Sequence, residues 1–112
     1  MSAWAFDFKI NNTTPDVTIA MQYGTVVDKF TKAPKEIPPG PGNVHAIGKE
    51  EVKGEYQMTM SGDVFRVSFS YGPGQSAMCE VTPPKEPKFD VKVSDIQTDE
   101  HLATAFIDAV PK

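Results

Sequence analysis

The sequence predicts an all-β fold, an antiparallel sandwich of two sheets with about seven or eight short strands. Apolar and polar residues alternate in several runs, turn-forming residues separate these runs, and two adjacent runs match as a hairpin. Alternation with a period of two places the apolar set on one face of a strand. The chain has 112 residues, 39% hydrophobic and 23% charged, so we expect residues 1–112 to form a single sandwich domain.

The clearest predicted element is a hairpin within residues 55–71. Its alternating apolar residues are Tyr56, Met58, Met60, Phe65, Val67, Phe69 and Tyr71. Gly62-Asp63 lies between the two runs and predicts a two-residue turn, because glycine tolerates positive φ at the first turn position. This turn would place Met58 opposite Val67, so that apolar residues face apolar residues across the hairpin.

The N-terminal part predicts two further strands. The first has an aromatic face formed by Trp4, Phe6, Phe8 and Ile10. Residues 11–16 contain Asn, Asp and Pro, which favour a turn. Residues 17–23 alternate again, and Gly24 breaks this second strand.

Residues 33–43 predict a surface crossover loop between the two sheets. This segment holds four prolines and two glycines in APKEIPPGPGN, and proline donates no hydrogen bond to a sheet ladder. A linker between domains is less favoured, since neither flank is long enough to fold alone. Ile37 is expected to anchor the loop.

The second half continues with strands and turns. Residues 44–47 predict a short strand, residues 48–51 a charged turn and residues 72–75 another turn. Ala77, Cys79 and Val81 then share one face of a strand, and Phe89, Val91 and Val93 share a face of the next.

The C-terminal segment fits either a short helix or a strand. A helix would use the spacing of Leu102, Phe106, Ala109 and Val110, with Thr98 as its N-cap. A strand would turn Ala103, Ala105, Ile107 and Ala109 inward. The all-β context slightly favours the strand.

Charge and composition exclude some classes of function. The net charge of −4 argues against a general nucleic-acid binder, which needs a basic face. One cysteine allows no intramolecular disulfide. The first ten residues alternate rather than forming an apolar leader, and no stretch approaches the ~20 apolar residues of a membrane span. We therefore expect a cytoplasmic protein, or one released without a leader.

Motifs of catalysis are absent from the sequence, so we expect no enzyme, no cofactor and no metal. His45 and His101 do not stand at metal-ligand spacing with Cys79. A Cys-His dyad of Cys79 with either histidine stays open as the basis of an enzyme hypothesis. Cys79 alternates in phase with core residues, however, which is typical of an inert buried thiol.

Three aromatic residues at strand ends are the candidate ligand-binding residues: Trp4, Tyr23 and Tyr71. Aromatic side chains in such places line shallow sites for lipid headgroups, sugars or protein surfaces. The alternative is that they cap the rim of the core.

The order of turns and strands resembles the aegerolysins and actinoporin-like small β-sandwich proteins. The resemblance covers roughly residues 4–81 and rests on Ile10-x-Asn12-x-Thr14, Pro34-x-x-Ile37-Pro38-Pro39-Gly40, Gly54-x-Tyr56 and Gly62-Asp63-Val64-Phe65-x-Val67-x-Phe69. It implies a sandwich that recognises lipid or membrane surfaces, in a group whose members are often acidic and leaderless and in some cases act with a partner protein to permeabilise membranes. The chain is shorter than usual for this group, and its single tryptophan, Trp4, stands where aegerolysins tend to carry several.

The expected function is a non-enzymatic recognition module for lipid headgroups or glycans at a membrane surface, as a component of a toxin or defence system. A protein-binding or self-assembling sandwich is the alternative: an inhibitor, a structural protein or a homodimer. Its basis is the first strand, whose edge could pair with another chain. An enzyme using Cys79 is the third hypothesis.

Overall fold

The structure, a computed structural model, describes residues 3–112 as a β-sandwich of two five-stranded sheets. The strands are β1 Trp4–Asn12, β2 Ile19–Val26, β3 Lys29–Lys32, β4 Glu36–Ile37, β5 Gly40–Gly48, β6 Val52–Met60, β7 Asp63–Tyr71, β8 Met78–Thr82, β9 Phe89–Thr98 and β10 Leu102–Pro111. Sheet I has the order β3-β5-β1-β10-β9, and sheet II has the order β4-β2-β6-β7-β8. Within this described range no helix is long and apolar enough to cross a membrane.

The all-β sandwich is confirmed, but two details of the prediction are wrong. The described chain contains ten strands instead of seven or eight, because residues 29–32, for which no element was predicted, form β3, and part of the predicted loop forms β4. The sheets are also not wholly antiparallel, since β1 and β10 pair in parallel. This pairing makes the first and last strands neighbours in the middle of sheet I.

The C-terminal segment is a strand, and the helical alternative is wrong. Ala103, Ala105, Ile107 and Ala109 are fully buried, as the strand alternative required. β10 hydrogen-bonds with β1 on one side and β9 on the other. Two ladders and a buried face of period two therefore outweigh the helix propensity of alanine.

The proline-rich segment crosses between the sheets as predicted, but it is not a loop outside them. Glu36–Ile37 pairs with β2 in sheet II, and Gly40–Asn43 begins β5 in sheet I. Pro41 lies opposite Asn11 of β1. A proline is tolerated there because β3 pairs only with the other end of β5, His45–Ile47, so the second side of Pro41 has no ladder to complete.

The hairpin of β6 and β7 exists, but its turn is Ser61-Gly62 instead of Gly62-Asp63. Both turn residues have positive φ, 50° and 85°, as a type I′ turn requires. Met58 therefore lies opposite Phe65 and not Val67. The error moves the register by two residues, which leaves the same side chains on the buried face, so Met58 is buried as predicted.

Aromatic rings fill the centre of the sandwich. Phe8 of sheet I packs against Tyr56 and Phe69 of sheet II, with ring centroids 5.1 and 4.8 Å apart. Phe6 also contacts Phe69, at 5.3 Å. All four rings are 0–1% exposed, and burial of each phenylalanine side chain contributes roughly 1.5–3 kcal/mol.

A buried amide holds the proline-rich crossover in place. Asn12, at the end of β1, donates from Nδ2 to the backbone oxygens of Val17 at 2.8 Å and Ile37 at 3.0 Å. Ile37 is itself buried, as predicted, and lies where a Cβ on Gly42 would collide with it. Asn12 thus fixes the crossover beside the first residues of β5, which border the site described below.

Candidate functional site

A depression with a volume of about 700 Å³ lies on the outer face of sheet I. Its walls come from β1, β5, β10 and β9, so it runs across the strands. We call it the sheet I groove. The side chains that matter for its chemistry are Lys9, Asn43, Asp95, Phe106 and Asp108.

Phe106 provides the aromatic surface of the groove. Its neighbours Ala105 and Ile107 point into the core, so Phe106 points outward and is only partly buried. In the sheet, Phe106 lies between Lys9 of β1 and Asp95 of β9. A large apolar ring in the middle of a polar outer face is not needed to fill the core, which makes it a candidate ligand platform.

A β-bulge accompanies Phe106. The pairing of β10 with β9 shifts between Phe106 and Ile107, which leaves Ser94 as the extra residue of β9. The Ser94 hydroxyl donates to the Phe106 backbone oxygen at 3.2 Å. Bulges redirect side chains and are enriched at functional sites, and this one lies in the groove wall.

Asn43 presents a hydrogen-bond acceptor to the groove. Its Nδ2 donates to Asp7 Oδ1 at 2.8 Å and to the Phe8 backbone oxygen at 3.0 Å, which occupies both amide protons. Among the described residues, nothing donates to Asn43 Oδ1. This carbonyl oxygen is therefore available to a hydroxyl or N–H group of a ligand.

Asp7 links this amide to a histidine. Asp7 Oδ1 also lies 2.8 Å from His45 Nδ1, and Asp7 Oδ2 lies 4.0 Å from Lys9 Nζ. Because the Asp7 carboxylate can only accept a hydrogen bond, the proton of this contact lies on His45 Nδ1. Asp7 thereby orients both Asn43 and His45 along the outer face of sheet I.

The predicted site residues Trp4 and Tyr71 come together, but outside the groove. Their ring centroids are 5.0 Å apart in a T-shaped contact. His101 stacks on Trp4 at 4.2 Å, and the Tyr71 hydroxyl donates to the Asp99 backbone oxygen at 2.9 Å. We call Trp4, Tyr71 and His101 the rim cluster. Trp4 and Tyr71 are partly buried and pack against the core, which favours the capping role.

Tyr23 lies apart from the rim cluster. Its ring packs against Phe30 at 4.9 Å and against Tyr56 at 6.0 Å, and its hydroxyl donates to the Pro34 backbone oxygen at 2.7 Å. Burial raises the pKa of Tyr23 above its ordinary value. The three residues predicted to bind a ligand therefore do not form one site.

The Cys-His dyad that the sequence left as a possibility does not form in the structure. His45 pairs with Asp7 on the outer face of sheet I, and His101 stacks on Trp4 at the rim. Cys79 is buried in the core, and burial, with a smaller contribution from Glu80, raises the pKa of its thiol to about 12. Across residues 3–112, moreover, no three His, Cys, Asp or Glu side chains cluster closely enough to hold a metal ion.

Sequence reasoning missed Phe106 as a site residue. Once residues 103, 105, 107 and 109 face inward, the alternation of a strand turns Phe106 outward. The prediction of a C-terminal strand therefore already implied that Phe106 points outward. What the sequence did not contain was the parallel pairing of β10 with β1, which brings Phe106 beside Lys9.

Comparisons with known proteins add information on the fold. No protein-family model matches the chain, and no curated protein matches it. The chain is similar in structure to RahU. The TM-score is 0.63 over 97% of both chains, with 10% sequence identity, and RahU was crystallised in complex with a TRIS molecule. At this identity the similarity shows the fold alone, and the resemblance to aegerolysins stays a prediction.

Proposed function

We propose that the protein is a non-enzymatic recognition module that binds an uncharged glycan in the sheet I groove. The observation that carries this proposal is the outward Phe106 ring, partly buried at the centre of a depression lined by hydrogen-bonding side chains. A pyranose ring has an apolar C–H face and a rim of hydroxyls. The first suits an aromatic ring, and the second suits the groups that surround it.

The polar groups of the groove match hydroxyl groups. Asn43 Oδ1 and the carboxylates of Asp95 and Asp108 accept hydrogen bonds, and Lys9 donates them. Hydroxyls both donate and accept, so a sugar can satisfy all four residues. A ligand without hydroxyl or N–H donors would leave the carboxylates desolvated and unpaired.

The charge of the groove favours a neutral sugar over a phosphate-bearing lipid headgroup. Two carboxylates, on Asp95 and Asp108, face one ammonium group, on Lys9, whose nearest carboxylate is that of Asp7. Phosphate recognition generally uses several cationic donors or exposed backbone N–H groups. Of the two ligand classes expected from the sequence, lipid headgroups therefore have less support in this groove than glycans.

The experiment is a glycan-array screen, which includes neutral and sulfated sugars, followed by calorimetric titration of the hits. TRIS is a small polyhydroxylated amine and RahU was crystallised with it, so the buffer contains no TRIS. Phe106→Ala is expected to weaken binding about tenfold or more, which corresponds to ~1.4 kcal/mol. Phe106→Tyr keeps the ring and should bind like the parent.

Leu102→Ala is the matched control, because Leu102 is exposed and lies on the same strand but outside the groove. It should leave the affinity unchanged. Vesicles of phosphatidylcholine and sphingomyelin test the lipid arm in parallel. The proposal fails if no glycan binds, or if Phe106→Ala binds as tightly as the parent.

The self-assembling alternative has a weaker basis in the structure. Trp4, which would have to be covered in such a dimer, already packs against His101 and Tyr71 of its own chain. Sedimentation at two protein concentrations measures this directly, and a stable dimer that protects Trp4 would favour the alternative. A toxin or defence role stays a prediction from the sequence resemblance.

A further inference from the structure

We infer that the ligand is a chain of several sugar units, which continues from the sheet I groove around the edge of β5 into a second cavity. This inference rests on the proposed function and makes it more specific. The groove alone could hold a terminal sugar. The second cavity provides the room that a longer ligand would need.

The second cavity adjoins the groove directly. It has a volume of about 590 Å³ and shares Pro41, Gly42 and Asn43 with the groove. Its other walls come from the segment between Thr31 and Pro38. The two depressions therefore lie on either side of one short stretch of β5.

This cavity exists because sheet I is incomplete beside that stretch. β3 pairs with β5 only at His45–Ile47, so no strand covers Gly40–Asn43 on that side. The chain leaves β3 and crosses to β4 in sheet II instead. Pro41, within this stretch, lacks the N–H group that a further strand would need, which keeps the edge open.

The length of the combined surface exceeds one sugar unit. The groove spans four strands, β9, β10, β1 and β5, and the vacant strand position beside β5 adds a further interval. Neighbouring strands lie ~4.8 Å apart, so the path is roughly 19 Å long. That is several times the width of one pyranose ring.

The chemistry of the second cavity matches that of the groove. Its charged residues are one lysine and one glutamate, Lys32 and Glu36, so it is neutral overall. Thr31 supplies a hydroxyl, and Pro34 and Pro38 supply apolar surface. Asn43, whose Oδ1 is available, stands at the junction of the two depressions. The groove carries one net negative charge and the second cavity none, so an uncharged chain can pass from one to the other without charge repulsion.

The test measures affinity against chain length. Malto-, cello- and chito-oligosaccharides of one to six units are titrated calorimetrically. In the series that binds, the affinity is expected to rise tenfold or more between two and four units and then to level off. A constant affinity across all lengths would overturn the inference.

A pair of matched variants places the far end of the chain. Ala33 is exposed and lines the second cavity, so Ala33→Trp should fill it. The variant should reduce the affinity for the hexamer to that for the dimer and leave the dimer unaffected. Ala20→Trp, at an exposed alanine on the outer face of sheet II, should bind both like the parent.

The two proposals fail in different ways. One outcome is that Phe106→Ala weakens binding at every length while Ala33→Trp changes nothing. That outcome would overturn the inference of a long ligand and leave the groove as the binding site. Absence of binding by all three series and by the array would overturn both.

Discussion

Replacement of Asn12 by alanine should destabilise the protein strongly, although Asn12 lines neither the sheet I groove nor the second cavity. The side chain is 2% exposed and makes four hydrogen bonds. It donates to the backbone oxygens of Val17 and Ile37, and its Oδ1 accepts from the backbone N–H and the hydroxyl of Thr14. It thus joins β1, the β1–β2 connection and the proline-rich crossover.

The magnitude follows from the groups that lose a partner. After truncation, the Thr14 hydroxyl can still donate to the Val17 oxygen, 3.0 Å away. The Thr14 N–H loses its partner, whereas the Ile37 oxygen loses one of two, because it also faces Ile19 in the β2–β4 ladder. A buried polar group without a partner costs ~1–3 kcal/mol and a lost hydrogen bond ~1 kcal/mol, so the free energy of unfolding should fall by about 2 to 4 kcal/mol.

The assay is equilibrium unfolding in urea, followed by far-ultraviolet circular dichroism. Asn11→Ala is the control: its side chain is exposed, and the expected change is within about 0.5 kcal/mol. Asn12→Asp keeps the acceptors but loses both amide donors, and its destabilisation should lessen at low pH, where the carboxyl group is protonated. A loss of less than about 1 kcal/mol in Asn12→Ala, or one equal to that of Asn11→Ala, would refute the reasoning.

Four further predictions concern the turn, a close contact and, in the last two, the thiol. Ser61→Asn should raise the unfolding free energy by about 0.5–1 kcal/mol, because Asn-Gly is preferred in a type I′ turn; no gain in a urea titration would contradict the observed turn. Gly48→Ala should cost about 3 kcal/mol by the same assay, since its Cβ would lie 1.8 Å from the Glu51 backbone oxygen, and an unchanged midpoint would contradict this close approach. Native Cys79 should react with iodoacetamide at pH 8 at least about a hundredfold more slowly than in urea, and equal rates would contradict its burial. Burial raises the pKa of this thiol from 9.0 to about 12, so the folded protein keeps the thiol neutral at a pH where the unfolded chain ionises it. The stabilisation is therefore complete below pH 9 and is lost as the pH rises towards 12. Cys79→Ala should lessen this alkaline loss of stability, measured by urea titrations from about pH 9 to 12.

Alternation predicted the burial of individual residues better than their pairing. Phe6, Phe8, Met58 and Phe69 are buried as the period of two required. The turn of the β6–β7 hairpin was wrong because Ser61 adopts positive φ, which a sequence pattern does not reveal. Asp63 instead accepts a hydrogen bond from the backbone N–H of Lys88, a residue distant in sequence.

The candidate site was less predictable than the fold, because it depends on which strands are neighbours. Trp4, Tyr23 and Tyr71 share a sequence signal, an aromatic residue at a strand end, but two of them cap the rim and the third packs elsewhere. Phe106 joins the candidate site only through the parallel pairing of the first and last strands. Parallel pairing of distant segments leaves no local turn signal, so sequence alone could not bring Phe106 and Lys9 together.

The most direct test of the central claim is a two-dimensional ¹H–¹⁵N NMR titration of the protein with the tightest glycan from the array. The account predicts that amide shifts change in the groove, at Asn43, Ser94 and Phe106, and leave Trp4 and Tyr71 unchanged. Shifts confined to the rim cluster, with the groove unaffected, would contradict it.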